Sequence, residues 1–278
     1  MQCEWKDCVW IIEVVEVRPV AGDVGAYSSV TTLRGNIVDQ PRLPMFAAFA
    51  GQVAEVRTQS GLRCRFVRDV PNFGIAPAWY VATKRTLDIV LGASLLIAAS
   101  PILAAVAVAV KFSSPGPVIF RQPRYGRDGK SFEILKFRTF YADAMDRSGV
   151  RQTAPGDARI TPLGRLLRRS NLDELPQLIN IIRGDMSLCG PRPHPIGMLA
   201  GGLPYEQLVP YYHRRHSVRP GLTGWAKANG LRGPTTDPQK AVARLEHDMA
   251  YIQNMSLRLD LIILWRTIVR ELTKASGQ

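Results

Sequence analysis

The chain has 278 residues, 46% of them hydrophobic, enough to bury a core and too many for a mostly disordered polypeptide. Its formal charge is +13, and the excess is confined to one part: residues 1–80 balance 8 basic against 8 acidic side chains, whereas residues 81–278 carry 28 against 15. The basic part calls for an acidic partner: nucleic acid, an anionic membrane surface or a phosphorylated substrate.

The N-terminus has no basic stretch leading into an apolar run, so it does not read as a signal peptide. Cys3, Cys8, Cys64 and Cys189 lack paired zinc-ligand spacing and are too scattered for a disulfide framework. Residues 10–17 are rich in Val and Ile and predict a strand. Beyond residue 17, Gly, Pro and polar residues interrupt the pattern repeatedly. Residues 1–80 therefore read as an N-terminal extension or a truncated domain, and residues 81–278 as the main unit.

Residues 89–110 form a run of 22 without a charge. About 20 apolar residues suffice to cross a bilayer core as a helix. A spanning helix, a buried core helix and a re-entrant helix over about residues 84–111 all meet that length, and two features favour the re-entrant form. Ser100-Pro101 sits mid-run, where proline removes a helical hydrogen bond and a neighbouring hydroxyl can satisfy the freed carbonyl. Both flanks are basic, with Lys84 and Arg85 before the run and Lys111, Arg121, Arg124, Arg127 and Lys130 after it. Positive charge prefers the cytoplasmic side, which places both flanks there.

Ser114-Pro115-Gly116-Pro117 reads as a turn, followed by a hairpin of strands 118–121 and 132–137 around a loop at 124–130. Residues 161–169 predict a short basic helix. Residues 175–183 predict a second, stopped by Gly184. Further helices are expected at 199–219, 238–254 and 257–272. In the last of these, Trp265 suits a core contact or a headgroup-level position equally.

The adjacent carboxylates Asp173 and Glu174 stand out. Pro176 is tolerated only in the first turn of a helix, which puts the pair at a helix entrance. There the pair is either an ordinary cap or part of a phosphate site. Nearby cations favour the second reading: Lys136, Arg138, Arg165, Arg168 and Arg169, and Arg192, whose flanking prolines fix its backbone. Asp157 and Asp185 are further polar candidates. The basic residues are not interleaved with stacking aromatics, which argues against nucleic acid.

Lys84-Arg85-Thr-Leu-Asp88, the Ser-Pro-interrupted apolar run, Phe120-Arg121-Gln122, Lys136-Phe-Arg-Thr139, Leu172-Asp-Glu-Leu-Pro-Gln-Leu178, Gly184-Asp-Met-Ser-Leu188, Gly190-Pro-Arg-Pro193 and Arg219-Pro-Gly-Leu-Thr-Gly-Trp225 occur in this order. Together they resemble the bacterial sugar transferase family, the monotopic polyprenyl-phosphate phosphoglycosyl transferases, over about residues 81–272. The resemblance implies an α+β, mostly α fold: a monotopic membrane protein with a re-entrant helix, a small β-hairpin and amphipathic interfacial helices, on the cytoplasmic face of the bacterial inner membrane. It implies transfer of a hexose 1-phosphate from a UDP-sugar to polyprenyl (undecaprenyl) phosphate, releasing UMP and initiating glycan synthesis of the exopolysaccharide or O-antigen type. Asp173 would be the nucleophile of a covalent step, Glu174 its helper, and Mg²⁺ would bind near Asp173. Lys136, Arg138, Arg168 and Arg192 would hold phosphates, and anionic lipid would be a further partner. A direct, metal-dependent transfer and a non-catalytic basic membrane scaffold remain as alternatives, and a homo-oligomer is left open. Two departures stand out. Asn171 occupies a position where the family often has Ser, an exchange expected to be neutral because both can cap. Residues 1–80 contain no four-helix membrane bundle of the kind long members carry.

Overall fold

A computed structural model describes residues 76–275 except 147, 149–151, 154–155 and 210, and before them the backbone of four strands. Those strands, β1 (Val9–Val15), β2 (Thr31–Asn36), β3 (Val53–Arg57) and β4 (Arg63–Val67), make an antiparallel sheet in the order β2-β1-β3-β4. The strand read at residues 10–17 coincides with β1 over residues 10–15; residues 16–17 lie outside the described residues.

The charge-free run lies within one long helix, α1 (Ala78–Ser113), which begins six residues before the expected boundary and continues through Pro101 without leaving helical backbone. Proline cannot donate to the carbonyl of Ile97, and Ser100 Oγ donates to that carbonyl instead, at 2.7 Å. Most of α1 faces outward, with Ile97 73% exposed. Yet both of its ends are fastened to one folded unit. Near the amino end, Tyr80 Oη and Lys84 Nζ each donate to Asp260 at 2.9 Å. Arg85 donates to the carbonyls of Ile181 and Ile182 at 2.7 and 2.8 Å. Buried Asp88 accepts from Ser187 Oγ and Leu188 N–H. Near the carboxyl end, Val110 packs against Phe137 and Leu167.

Next come the hairpin β5 (Ile119–Tyr125) and β6 (Ser131–Phe137), then α2 (Pro162–Arg169), capped by Thr161 Oγ1 accepting from Gly164 N–H. A 3₁₀ turn, Leu172–Glu174, leads into α3 (Gln177–Arg183). Gly184 ends α3 at φ 100°, as its sequence position predicts. β7 (Ser187–Cys189) pairs in parallel with β10 (Gly221–Thr223). Between them, the expected continuous helix at 199–219 is not found among the described residues. Gly201 and Gly202, at φ 57° and 85°, reverse the chain between β8 (Leu199–Ala200) and β9 (Leu203–Pro204). Only α4 (Tyr205–Leu208) and a 3₁₀ stretch, Tyr212–Ser217, are helical there. The chain closes with α5 (Trp225–Ala228), α6 (Pro238–Gln253) and α7 (Leu257–Ala275), matching the last two helices expected.

Tyr205, Tyr212, Trp225, Leu245, Met249, Tyr251 and Ile263 form the main core. A second cluster, Ile134, Leu178, Ile181, Met186 and Leu188, fixes α3 against the hairpin and Leu96 of α1. Each fully buried aliphatic side chain there contributes roughly 1.5–3 kcal/mol, so the turn that precedes α3 rests on a rigid base. Trp265 is 67% exposed and shares an outward face of α7 with Leu261 and Ile268, which excludes its core reading.

Candidate active site

Four segments converge on the 3₁₀ turn. β6 delivers Lys136, the Gly190-Pro191-Arg192-Pro193 turn after β7 delivers Arg192, α5 delivers Lys227, and α2 delivers Arg168. The β7–β10 crossing that sets two of these is closely packed. A Cβ on Gly221 would lie 2.2 Å from Gly190 N, and one on Gly224 2.2 Å from Gly190 O, so larger residues would force these loops apart. Arg192 is steadied from behind: Arg215 Nη2 donates to its carbonyl at 2.7 Å while pairing at 2.7 Å with buried Asp248. Arg124 Nη1 holds the Pro193 carbonyl at 2.9 Å.

The two carboxylates have different fates. Glu174, 7% exposed, meets Lys136 Nζ at 2.9 Å, Arg192 Nη2 at 2.5 Å and Lys227 Nζ at 3.4 Å. Burial alone would raise its pKa; Arg192, Lys136 and Lys227 outweigh that and hold it well below the ordinary carboxylate range. Asp173, 8% exposed, makes no hydrogen bond or ion pair among the described residues. Burial raises its pKa, opposed by Lys136, Arg168 and Arg192 at longer range. Lysine gives ground in return: burial lowers the pKa of Lys136 and of Lys227, against the pull of Glu174.

Both carboxylates line a cleft of about 640 Å³, within the ~300–1,000 Å³ usual for small-molecule sites. Ten basic side chains line it against four acidic ones, a setting for a polyanion. Of the residues expected from sequence, Asp173, Glu174, Lys136, Arg168 and Arg192 come together. Arg168 lies over Phe140, 5.2 Å from the ring centroid, and donates to Thr153 Oγ1. Arg138 has a different duty. Although it borders the cleft, its Nη1 and Nη2 donate to the carbonyls of Pro115, Val110 and Ser114 at 2.8, 3.0 and 2.6 Å, closing the carboxyl end of α1. Asp157 binds Arg159 at the cleft wall, and Asp185 accepts from Asn180 Nδ2 in the turn after α3. Ser100 and Pro101 belong to α1, away from the cleft. Lys227 and Arg232 escaped the sequence reading. Lys227 follows the Gly-Leu-Thr-Gly-Trp motif by two positions, the one signal that marks it.

Asn171 stands at the N-cap position of the 3₁₀ turn, but its side chain makes no capping bond and its φ of 55° is left-handed. Capping therefore does not supply the reason for treating Asn and Ser alike here, and Asn is among the residues that best tolerate this conformation.

The sequence profile described as "Bacterial sugar transferase" matches residues 79–274. The chain is 50% identical over 194 residues to an exopolysaccharide production protein of Rhizobium leguminosarum bv. phaseoli, covering 70% of this chain and 97% of that one. It is 47% identical over 187 residues to the UDP-glucose:undecaprenyl-phosphate glucose-1-phosphate transferase of Escherichia coli K12, covering 67% of this chain and 39% of that one. A UDP-N-acetylgalactosamine-undecaprenyl-phosphate N-acetylgalactosaminephosphotransferase of Aeromonas hydrophila is 39% identical over 194 residues, 70% of this chain and 44% of its own. The chain thus spans nearly all of the Rhizobium protein and about two-fifths of the other two. On these matches, the chain belongs to the bacterial sugar transferase family.

Proposed function

We propose that the protein transfers a sugar 1-phosphate from a UDP-sugar to undecaprenyl phosphate in exopolysaccharide initiation, through a covalent intermediate on Asp173. The observation that carries the covalent step is the unequal pairing of the two carboxylates. Glu174 has both oxygens engaged by cations, so it is poorly placed to attack or to bind metal. Asp173 lies in the cleft without a partner among the described residues. A carboxylate oxygen of Asp173 attacks the β-phosphorus of the donor. The phosphoanhydride bond breaks and UMP departs with its electron pair. An oxygen of the lipid phosphate then attacks the same phosphorus, releasing the Asp173 carboxylate and forming the diphosphate. No net proton is needed, and each half-reaction is a single displacement.

Lys136, Arg168 and Arg192 supply fixed positive charge where phosphoryl oxygens gather charge. Glu174 keeps Lys136, Arg192 and Lys227 in place and offsets their mutual repulsion. One unpaired carboxylate suits Mg²⁺, which usually takes one or two protein carboxylates plus substrate phosphates. Asp173 would hold it, and when bound it would neutralise charge on the diphosphate.

The helix α1 is read as entering the membrane from one face, with α7 lying in the interface. This is supported by the tethering of both ends of α1 to the same unit, and by the outward apolar faces of α1 and α7. The cleft would then open at the cytoplasmic surface, where a soluble donor and a lipid phosphate can meet.

UDP-glucose is the first donor to test. Wild-type protein in detergent with undecaprenyl phosphate and Mg²⁺ should release UMP, and chelation should stop it. Without acceptor, labelled UMP should exchange into the UDP-sugar. Turnover without exchange would leave direct transfer as the route.

A further inference from the structure

The geometry points to Glu271, on helix α7, as a positioning residue that holds the Asp173 turn through Asn171 while also holding the cleft-lining Arg232. This deepens the proposed function and rests on it.

Asn171 and Asp128 are the non-glycine residues at positive φ among the described residues. Such a conformation costs free energy and persists where surrounding contacts impose it. The carbonyl of Asn171 accepts from Glu174 N–H at 3.1 Å, so the direction of this one residue sets the turn that carries both carboxylates. Its side chain turns away from the turn and donates from Nδ2 to Glu271 Oε2 at 2.7 Å, across 100 residues of sequence.

The other oxygen of Glu271 pairs with Arg232 Nη2. Arg232 borders the cleft and lies just beyond the segment that delivers Lys227 to Glu174. One carboxylate thus ties the backbone under Asp173 to the segment that holds Glu174. Elsewhere on its circumference α7 also grips that segment: Arg266 Nη1 donates to Asn229 Oδ1 and Arg270 Nη1 to Ala228 O, each at 3.1 Å. Trp265 and Ile268 face outward. An isolated ion pair of this exposure would be worth little. The fixing of a left-handed residue two positions from the nucleophile, whose carbonyl sets the turn, is what gives Glu271 its leverage.

The test combines turnover with hydrogen exchange on the full-length protein. In Glu271→Ala, kcat for UMP release should fall about 10- to 100-fold, the range expected when a reacting group is misplaced by about an ångström, with KM for the donor little changed. Amide exchange at residues 171–175 should quicken about tenfold, while exchange in β7 stays as in wild type. Asn171→Gly keeps access to positive φ but loses the tether, so it should share the defect. Asn171→Asp sets two carboxylates against each other and should be worse. Combining Asn171→Asp with Glu271→Gln restores a hydrogen bond of reversed polarity and should recover most of the loss. Wild-type kcat in Glu271→Ala and Asn171→Gly, or unchanged exchange at 171–175, overturns the proposal. If the wild-type protein releases no UMP from any UDP-sugar, the enzymatic reading falls, and the exchange measurement still decides whether Glu271 holds the turn.

Discussion

Ionising Asp173 inside the folded protein works against its burial. Its folded pKa lies above the ordinary 3.8, so the stability it contributes is present in full below that pH and is lost as pH rises through the folded value. At neutral pH the charge is therefore a burden on the fold. Asp173→Asn should leave Tm unchanged or raise it, by about 2–4 °C for each kcal/mol relieved, while UMP release falls by at least about 10³-fold. A large drop in Tm, or retained turnover, would count against the assignment. Glu174 has the opposite sign. Its folded pKa is depressed below 4.5, so its contribution is present above that pH and is lost as pH falls through the folded value. Glu174→Gln should cost about 3–5 kcal/mol at pH 7, because three cations lose their counter-charge. The stability gap to wild type, tracked by urea melts, should narrow below pH ~4.5.

The hairpin, α2 and α3 were legible because each is announced locally: a Gly-containing loop between apolar runs, Thr-Pro at a helix start, Pro176 before α3; the separate 3₁₀ turn that carries Asp173 and Glu174 was not. The stretch at 199–219 was not, because paired glycines at 201 and 202 turn a helix-compatible run into a reversal. Arg138 shows the same limit for a side chain. Its position beside Lys136 reads as a phosphate ligand, but in the fold its guanidinium donates to the carbonyls of Pro115, Val110 and Ser114 at the end of α1. Arg138→Ala should leave donor KM within about twofold and cost roughly 1–3 kcal/mol for each carbonyl left without a donor. A large rise in KM with unchanged stability would return Arg138 to the phosphate site.

At the scale of the whole molecule, α1 is about 54 Å long at 1.5 Å per residue, long enough to cross a bilayer. Its amino end is held by Asp260 and its carboxyl end by Arg138, and both belong to the same folded unit. On the proposed re-entrant reading, these anchors keep both ends of α1 on one side of the membrane. Cysteines introduced at exposed Trp79 and Phe112 should therefore react with an impermeant maleimide from the same side. Labelling from opposite sides would mean that α1 spans the membrane and one anchor is released.

Sequence alone determined the pieces whose causes are local: the apolar run, the serine that satisfies the carbonyl freed by Pro101, and a carboxylate pair shortly before a helix in a chain segment rich in basic residues. Which carboxylate is pinned and which is unpaired was decided only by tertiary structure. Lys136 and Lys227 reach Glu174 from 38 and 53 residues away, and Glu271 reaches Asn171 from 100. Coulombic and hydrogen-bonding energies fall steeply with distance in space, and distance in space is what the packing of β6, β7, α5 and α7 around one turn fixes.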